Sequence, residues 1–232
     1  MPDVSVRTMP INHGKNEQGH YDSAAFFVRH DPSAREFLFF GDVEPDSIAE
    51  TPQNINIWQA AAPRIPDQLT AIFIECSYPS NRSDETLYGH LTPEHLCSEL
   101  TALAREVVLH RAISHLKESR RRPPRKKQKR NSLAAEELTN ALVGLKVYIM
   151  HCKDDMNGVL DRPAKEVIID QVRALVSKRG LGAEIHLAEQ GTRIGRSFLI
   201  PAFIFACMAD TPHPCRNLIH AAAYSFFLVL FL

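Results

Sequence analysis

FLFFGD (Phe37–Asp42) and LTAIFIEC (Leu69–Cys76) are two short, unbroken apolar runs, and each closes on polar residues: Gly41-Asp42 in the first, Glu75 in the second. Runs of this length, rich in Phe and Ile and ended by turn residues, suit strands buried on both faces. Working outward, AAFFVRH (Ala24–His30) predicts a third strand before the turn Asp31-Pro32-Ser33, and GLKVYIMH (Gly144–His151) a further one that ends in a polar cluster. Helical signals lie between and after them. Thr92 caps, Pro93 suits a first helical position, and Leu96, Leu100, Leu103 and Val107 follow with helical spacing. Pro163 to Gly180 reads as an amphipathic helix with Gly180 as its C-cap, and AEIHLAEQG as a last short strand and turn. Strands alternating with helices predict a layered α/β fold.

The 232 residues suffice for one sizeable domain, and 27 basic against 27 acidic residues give no global pull towards nucleic acid or membrane. Five cysteines, an odd number without a C-x-x-C pair, indicate neither a disulfide framework nor a cysteine zinc site. Reduced thiols point to a cytoplasmic setting. The amino-terminal residues hold no apolar run of signal-peptide type. SRRRPPRKKQKRNS (119–132) packs basic residues around two prolines and reads as a disordered, solvated insertion. Nuclear import and nucleic-acid contact are the competing readings of this run. From about 195 to 232 the chain is apolar, in two patches each shorter than the roughly 20 residues a spanning helix needs. Membrane contact through this tail is the less favoured reading, and an origin foreign to the fold the more favoured one. The chain therefore divides into a domain at 1–194, interrupted at 119–132, and a tail at 195–232.

Chemistry is sought where polar residues end buried strands. Asp42 is either a turn residue or a metal ligand, because a carboxylate at the tip of a buried strand is costly unless paired or bound to a cation. His151 is either a hydrogen-bonded loop histidine or a zinc ligand. His13 lies in a loop before the strand at 24–30, next to Gly14. Glu75 and His90 stand out as a carboxylate–imidazole pair. A carboxylate beside an imidazole orients it and favours its charged form, which makes a general acid for a leaving alkoxide. The alternative is that Glu75 solvates a loop and His90 belongs to the start of the helix. His20 and His30 read as surface residues.

The order of these segments, His-Gly, Gly-Asp, Glu-Cys-Ser, Gly-His-Leu-Thr-Pro and a strand ending in His, resembles the metallo-β-lactamase superfamily. Within it, FFGDVEPDS (39–47), AIFIECSYP (71–79) and LYGHLTPEHL (87–96), with Asn56-Ile57-Trp58 and Ala62-Pro63, resemble the class II, low-affinity 3′,5′-cyclic-nucleotide phosphodiesterases. The resemblance covers roughly residues 5 to 194 outside the basic insertion. It implies an αβ/βα sandwich with two zinc ions at its edge. By motif, His13, Asp42 and His151 would be metal ligands, Asp42 bridging, and Glu75 and His90 would form the acid pair. A cyclic nucleotide would be the partner, with no nucleic acid expected, and hydrolysis would give a nucleoside 5′-monophosphate.

The family's upstream His-x-His-x-Asp-His motif does not occur: none of the eleven histidines stands two residues from another. The expectation is a sandwich incomplete at its N-terminus, with three ligands too few to hold two zinc ions tightly and little or no turnover. A catalytically dead nucleotide- or partner-binding relative, and an RNA-processing phosphodiesterase of the same superfamily, are the alternatives.

Overall fold

A computed structural model describes residues 3–17, 19–118, 135–154 and 158–189. The basic run and the apolar tail, and with them the readings of nuclear import and membrane contact, lie outside the described residues. One six-stranded sheet runs β1 (Val4–Asn16), β2 (Gly19–His30), β3 (Arg35–Phe40), β4 (Leu69–Glu75), β5 (Lys146–Met150), β6 (Glu184–Leu187), in that spatial order. The β1–β2 and β2–β3 pairs are antiparallel, and the pairs from β3 to β6 are parallel. Each parallel step is bridged by a helix: α1 (Asn54–Ala61), α2 (Pro93–Glu118) and α3 (Ala164–Lys178). Parallel neighbours need such crossovers.

The apolar runs are buried on both faces, as their lack of alternation predicts. Leu38 and Phe40 of β3, Ile72 and Ile74 of β4, and Val147 and Ile149 of β5 join the helices in the main core. Their alternates, Phe37, Phe39, Ala71 and Met150, form a second cluster with Phe26, Phe73 and Tyr148. Among the described residues, the expected sandwich is thus represented by one sheet and one layer of helices. Trp58 of α1 anchors that layer. It is fully buried, its ring lies 5.1 Å from that of Phe40, and its indole N–H donates to Glu99 of α2 at 2.7 Å.

The structure corrects the placement of His13. It is not in a loop but on β1, where the β1–β2 register shifts between Asn12 and Lys15. A bulge re-aims a side chain out of the ladder's alternation, and His13 sits within this shift of register.

Candidate metal and acid site

Because β3, β4 and β5 run parallel, their carboxyl ends open on one edge, where open α/β sheets place their sites. Asp42 follows β3 by two residues, Glu75 ends β4, and His151 follows β5 directly. Gly41 lets β3 end close to β2: a Cβ there would meet the Ser23 hydroxyl at 2.7 Å. His151 has φ 56, a left-handed conformation that a non-glycine residue adopts only where its surroundings hold it.

The loop between β4 and α2 delivers His90. Gly89, at φ +78, presses on the β1 bulge so closely that a Cβ would stand 2.5 Å from the His13 carbonyl oxygen. This contact of two backbones fixes His13. Its Nδ1–H donates to the Gly89 carbonyl at 3.0 Å, which turns Nε2 towards Asp42, 3.7 Å from Oδ2. On the other side, His151 Nδ1 lies 2.8 Å from Asp42 Oδ1. The Asp42 carboxylate thus offers one oxygen to each imidazole. The His90 ring stands between the two, 5.0 Å from His13 and 5.2 Å from His151 between centroids. All five residues singled out in the sequence meet here.

Glu75 and His90 are buried. His90 Nδ1 donates to both Glu75 oxygens, at 2.8 and 2.9 Å, so its Nε2 faces the site. The same carboxylate accepts the Val43 N–H at 2.7 Å and a short hydrogen bond from the Ser77 hydroxyl. Glu75 is therefore fully occupied by donors, and its buried charge is offset by them. One ligand atom each of Asp42, Glu75, His90 and His151 lies within 4.8 Å of the others, and in Glu75 both oxygens are already engaged by these bonds. Ser77 escaped the sequence reading. It also lies 2.9 Å from the His151 carbonyl, tying β4 to β5, and the only hint was its place in Glu-Cys-Ser.

Electrostatics single out the Asp42–His151 pair. Burial alone would raise the Asp42 carboxyl, but the His151 hydrogen bond and the imidazoles around it hold it below its ordinary value. The same hydrogen bond raises His151 against the opposing effects of burial and of Lys153. Of the described cysteines near the site, burial lifts the Cys152 thiol to about 11 and Cys76 well above the usual thiol range, so both stay protonated. Of the remaining histidines, His20 pairs with Glu50, His30 lies 2.8 Å from the Ser33 hydroxyl, and His95 pairs with Asp84.

The donor chemistry fits a divalent metal. Two imidazoles and a carboxylate that divides its oxygens between them are borderline ligands of the kind zinc takes. Three donors fill the protein positions of one catalytic ion, not those of two.

Comparison with known proteins identifies the family. The family described as cAMP phosphodiesterases class-II matches residues 2–191. A 3′,5′-cyclic-nucleotide phosphodiesterase of Schizosaccharomyces pombe is 45% identical over 101 residues, covering 43% of this chain and 29% of that protein. One from Candida albicans is 29% identical over 209 residues, covering 82% and 44%. The crystal structure of unliganded yeast PDE1 superimposes with a TM-score of 0.61 at 26% identity, over 81% of this chain and 44% of that one. The chain spans less than half the length of each of these relatives. With the family's description matching nearly all of the described residues, and with a metallo-β-lactamase-like fold shared with yeast PDE1, the chain belongs to the class-II cAMP phosphodiesterase family.

Proposed function

We propose that residues 1–194 form a phosphodiesterase domain that takes part in hydrolysing 3′,5′-cyclic nucleotides to nucleoside 5′-monophosphates, with zinc at His13, Asp42 and His151. The observation that carries this reading is the convergence of two differently prepared sets of groups on one sheet edge. One set is a carboxylate shared between two imidazoles. The other is an imidazole held at Nδ1 by a buried carboxylate, with Nε2 open. Bound divalent metal supplies positive charge against the phosphoryl oxygens and lowers the pKa of a water towards neutrality. The protein's own part is the leaving group. As the water oxygen, having lost a proton to solvent, bonds to phosphorus and the P–O3′ bond breaks, the electron pair passes to O3′, and His90 delivers the Nε2 proton to it and is reprotonated from solvent. Glu75 keeps the ring in position and offsets its charge through the transfer. The Gly89–His13 contact holds the metal set and the acid at a fixed separation.

The test is product identity. With zinc supplied in excess, so that mass action fills weak positions, phosphorus NMR should show cyclic AMP converted to 5′-AMP, and a chelator should stop the reaction. Formation of 3′-AMP, or a rate indifferent to chelation, would contradict the reading. Cleavage of a structured RNA with cyclic AMP left intact would favour the RNA-processing alternative.

Zinc uptake should also release protons. Without metal, the hydrogen bond to Asp42 keeps His151 protonated above the usual imidazole range. Zinc takes only the neutral imidazole, so affinity rises as pH rises through that raised value and falls in acid. The stabilising effect of the pair on the metal-free fold has its own window. The raised His151 contribution is full below its unfolded pKa and lost as pH rises through its folded one. The lowered Asp42 contribution is present above its unfolded pKa and lost as pH falls through its folded one. Calorimetric titration with zinc near neutral pH, in buffers of different ionisation enthalpy, should show heats that depend on the buffer. Identical heats would mean that His151 is not displaced from its proton.

A further inference from the structure

We infer that Lys153 and Tyr78 form an anion subsite beside His90 that grips a phosphoryl oxygen of the nucleotide, with Arg82 fixing the tyrosine ring. The inference rests on the phosphodiesterase reading above. Tyr78 follows β4 by three residues and sets its ring edge-on to His90, at 77° and 6.0 Å between centroids. Two cations gather on this ring. The Arg82 guanidinium carbon stands 3.8 Å above it, and the Arg82 Nε–H donates to the Thr86 carbonyl at 2.9 Å, so the guanidinium is held from both sides. The Lys153 ammonium lies 5.0 Å from the ring centroid and donates to the phenolic oxygen at 3.1 Å. Lys153 comes two residues after His151, and its backbone N–H bonds to the Ser77 carbonyl at 3.0 Å, so the residue is tied to the strand end that carries Glu75.

Charge balance gives the group its meaning. Lys15, Arg29, Arg64, Arg162 and Lys165 each have a carboxylate within ion-pair distance. Among the described residues Arg82 and Lys153 have none, which is also true of Arg7, Arg35, Arg173 and Arg179, but these two share one aromatic ring next to His90. Two uncompensated cations next to a proton donor are suited to an anionic ligand. An ammonium has three N–H groups, and one of them rests on the phenol. The phenol, accepting from Lys153, is free to turn its own O–H outward as a second donor. A phosphoryl group approaching His90 would meet both. Recognition of the base is the competing use, since cationic side chains also bond to purine acceptors, and it would act equally on an uncharged nucleoside.

The experiment is calorimetric titration of the zinc-loaded full chain with 5′-AMP and, separately, with adenosine. In Lys153→Gln the 5′-AMP dissociation constant should rise about tenfold or more, as expected for a lost charge-assisted hydrogen bond. Its dependence on salt should flatten, while adenosine affinity and zinc content stay at wild-type values. Tyr78→Phe should weaken 5′-AMP by a smaller factor. Unchanged 5′-AMP affinity in Lys153→Gln overturns the subsite and leaves the phosphodiesterase reading standing. A parallel loss for 5′-AMP and adenosine assigns the group to the base and also overturns it. A wild-type chain with no affinity for 5′-AMP overturns the phosphodiesterase reading, and the subsite with it.

Discussion

Replacing His90 with alanine is expected to slow conversion of cyclic AMP by about a hundred- to ten-thousand-fold, the usual worth of a positioned general acid, while zinc content stays at the wild-type value. The separation of effects follows from the geometry. His90 spends Nδ1 on Glu75 and makes no hydrogen bond to the proposed metal donors, so its removal should leave the His13–Asp42–His151 set standing. Glu75→Gln should behave differently. Glu75 also accepts the N–H of Val43, the residue next to Asp42, and the Ser77 hydroxyl. An amide has one acceptor oxygen where the carboxylate has two, so the change should lower turnover and loosen the metal together. Steady-state rates alongside zinc analysis on the two variants check both statements. A His90→Ala chain that turns over normally would remove His90 from the reaction. One that also sheds its metal would make His90 a ligand instead.

Trp58→Ala should destabilise the domain by about 3–5 kcal/mol from lost packing, with a further cost of about 1–3 kcal/mol for a buried carboxylate left short of a donor. Trp58 fills the space between α1 and the sheet, and its N–H satisfies one oxygen of Glu99, which is buried on α2. The other Glu99 oxygen accepts the Asp46 N–H at 2.7 Å. Asp46 in turn accepts the N–H groups of Gln53, Asn54 and Ile55 and so caps α1. The loop that leaves Asp42 is thereby clamped at Val43 by Glu75 and at Asp46 by Glu99. Trp58→Phe keeps the apolar bulk and loses only the indole N–H, so its cost should be confined to the second, smaller amount. Urea unfolding resolves the two, because the midpoint should move at constant slope. A midpoint for Trp58→Ala close to wild type would mean that α1 does not depend on this anchor.

These two predictions draw on parts of the molecule that were unequally legible in the sequence. The runs at 37–42 and 69–76 announced β3 and β4 because burial on both faces removes polar alternation. The same logic put Asp42, Glu75 and His151 at strand ends, where the structure places them. β1 gave no such signal. Only two of its described residues are buried, and Val6 is 41% exposed, so periodicity carried little information and pairing with β2 makes it a strand. For that reason His13 looked like a loop residue, and its bulge, held by Gly89 from a distant part of the chain, was not visible. α1 was missed for a related reason. It has only eight residues, and what fixes it is the long-range chain from Glu99 through Asp46 rather than a local cap. Short-range patterns report burial and turns. They do not report contacts that the fold assembles from segments far apart in sequence.

Zinc retained per chain after exchange into metal-free buffer, for the wild type beside Asp42→Ala, decides whether this sheet edge holds the metal. The two histidines proposed as donors meet at Asp42, one on each oxygen, so in that proposal the carboxylate is the group the site cannot do without. About one zinc is expected per wild-type chain, as three protein donors allow, with loss of that zinc in Asp42→Ala and the fold intact by circular dichroism. Equal zinc in the two proteins would place the metal elsewhere and contradict the assignment of this sheet edge as the metal and acid site.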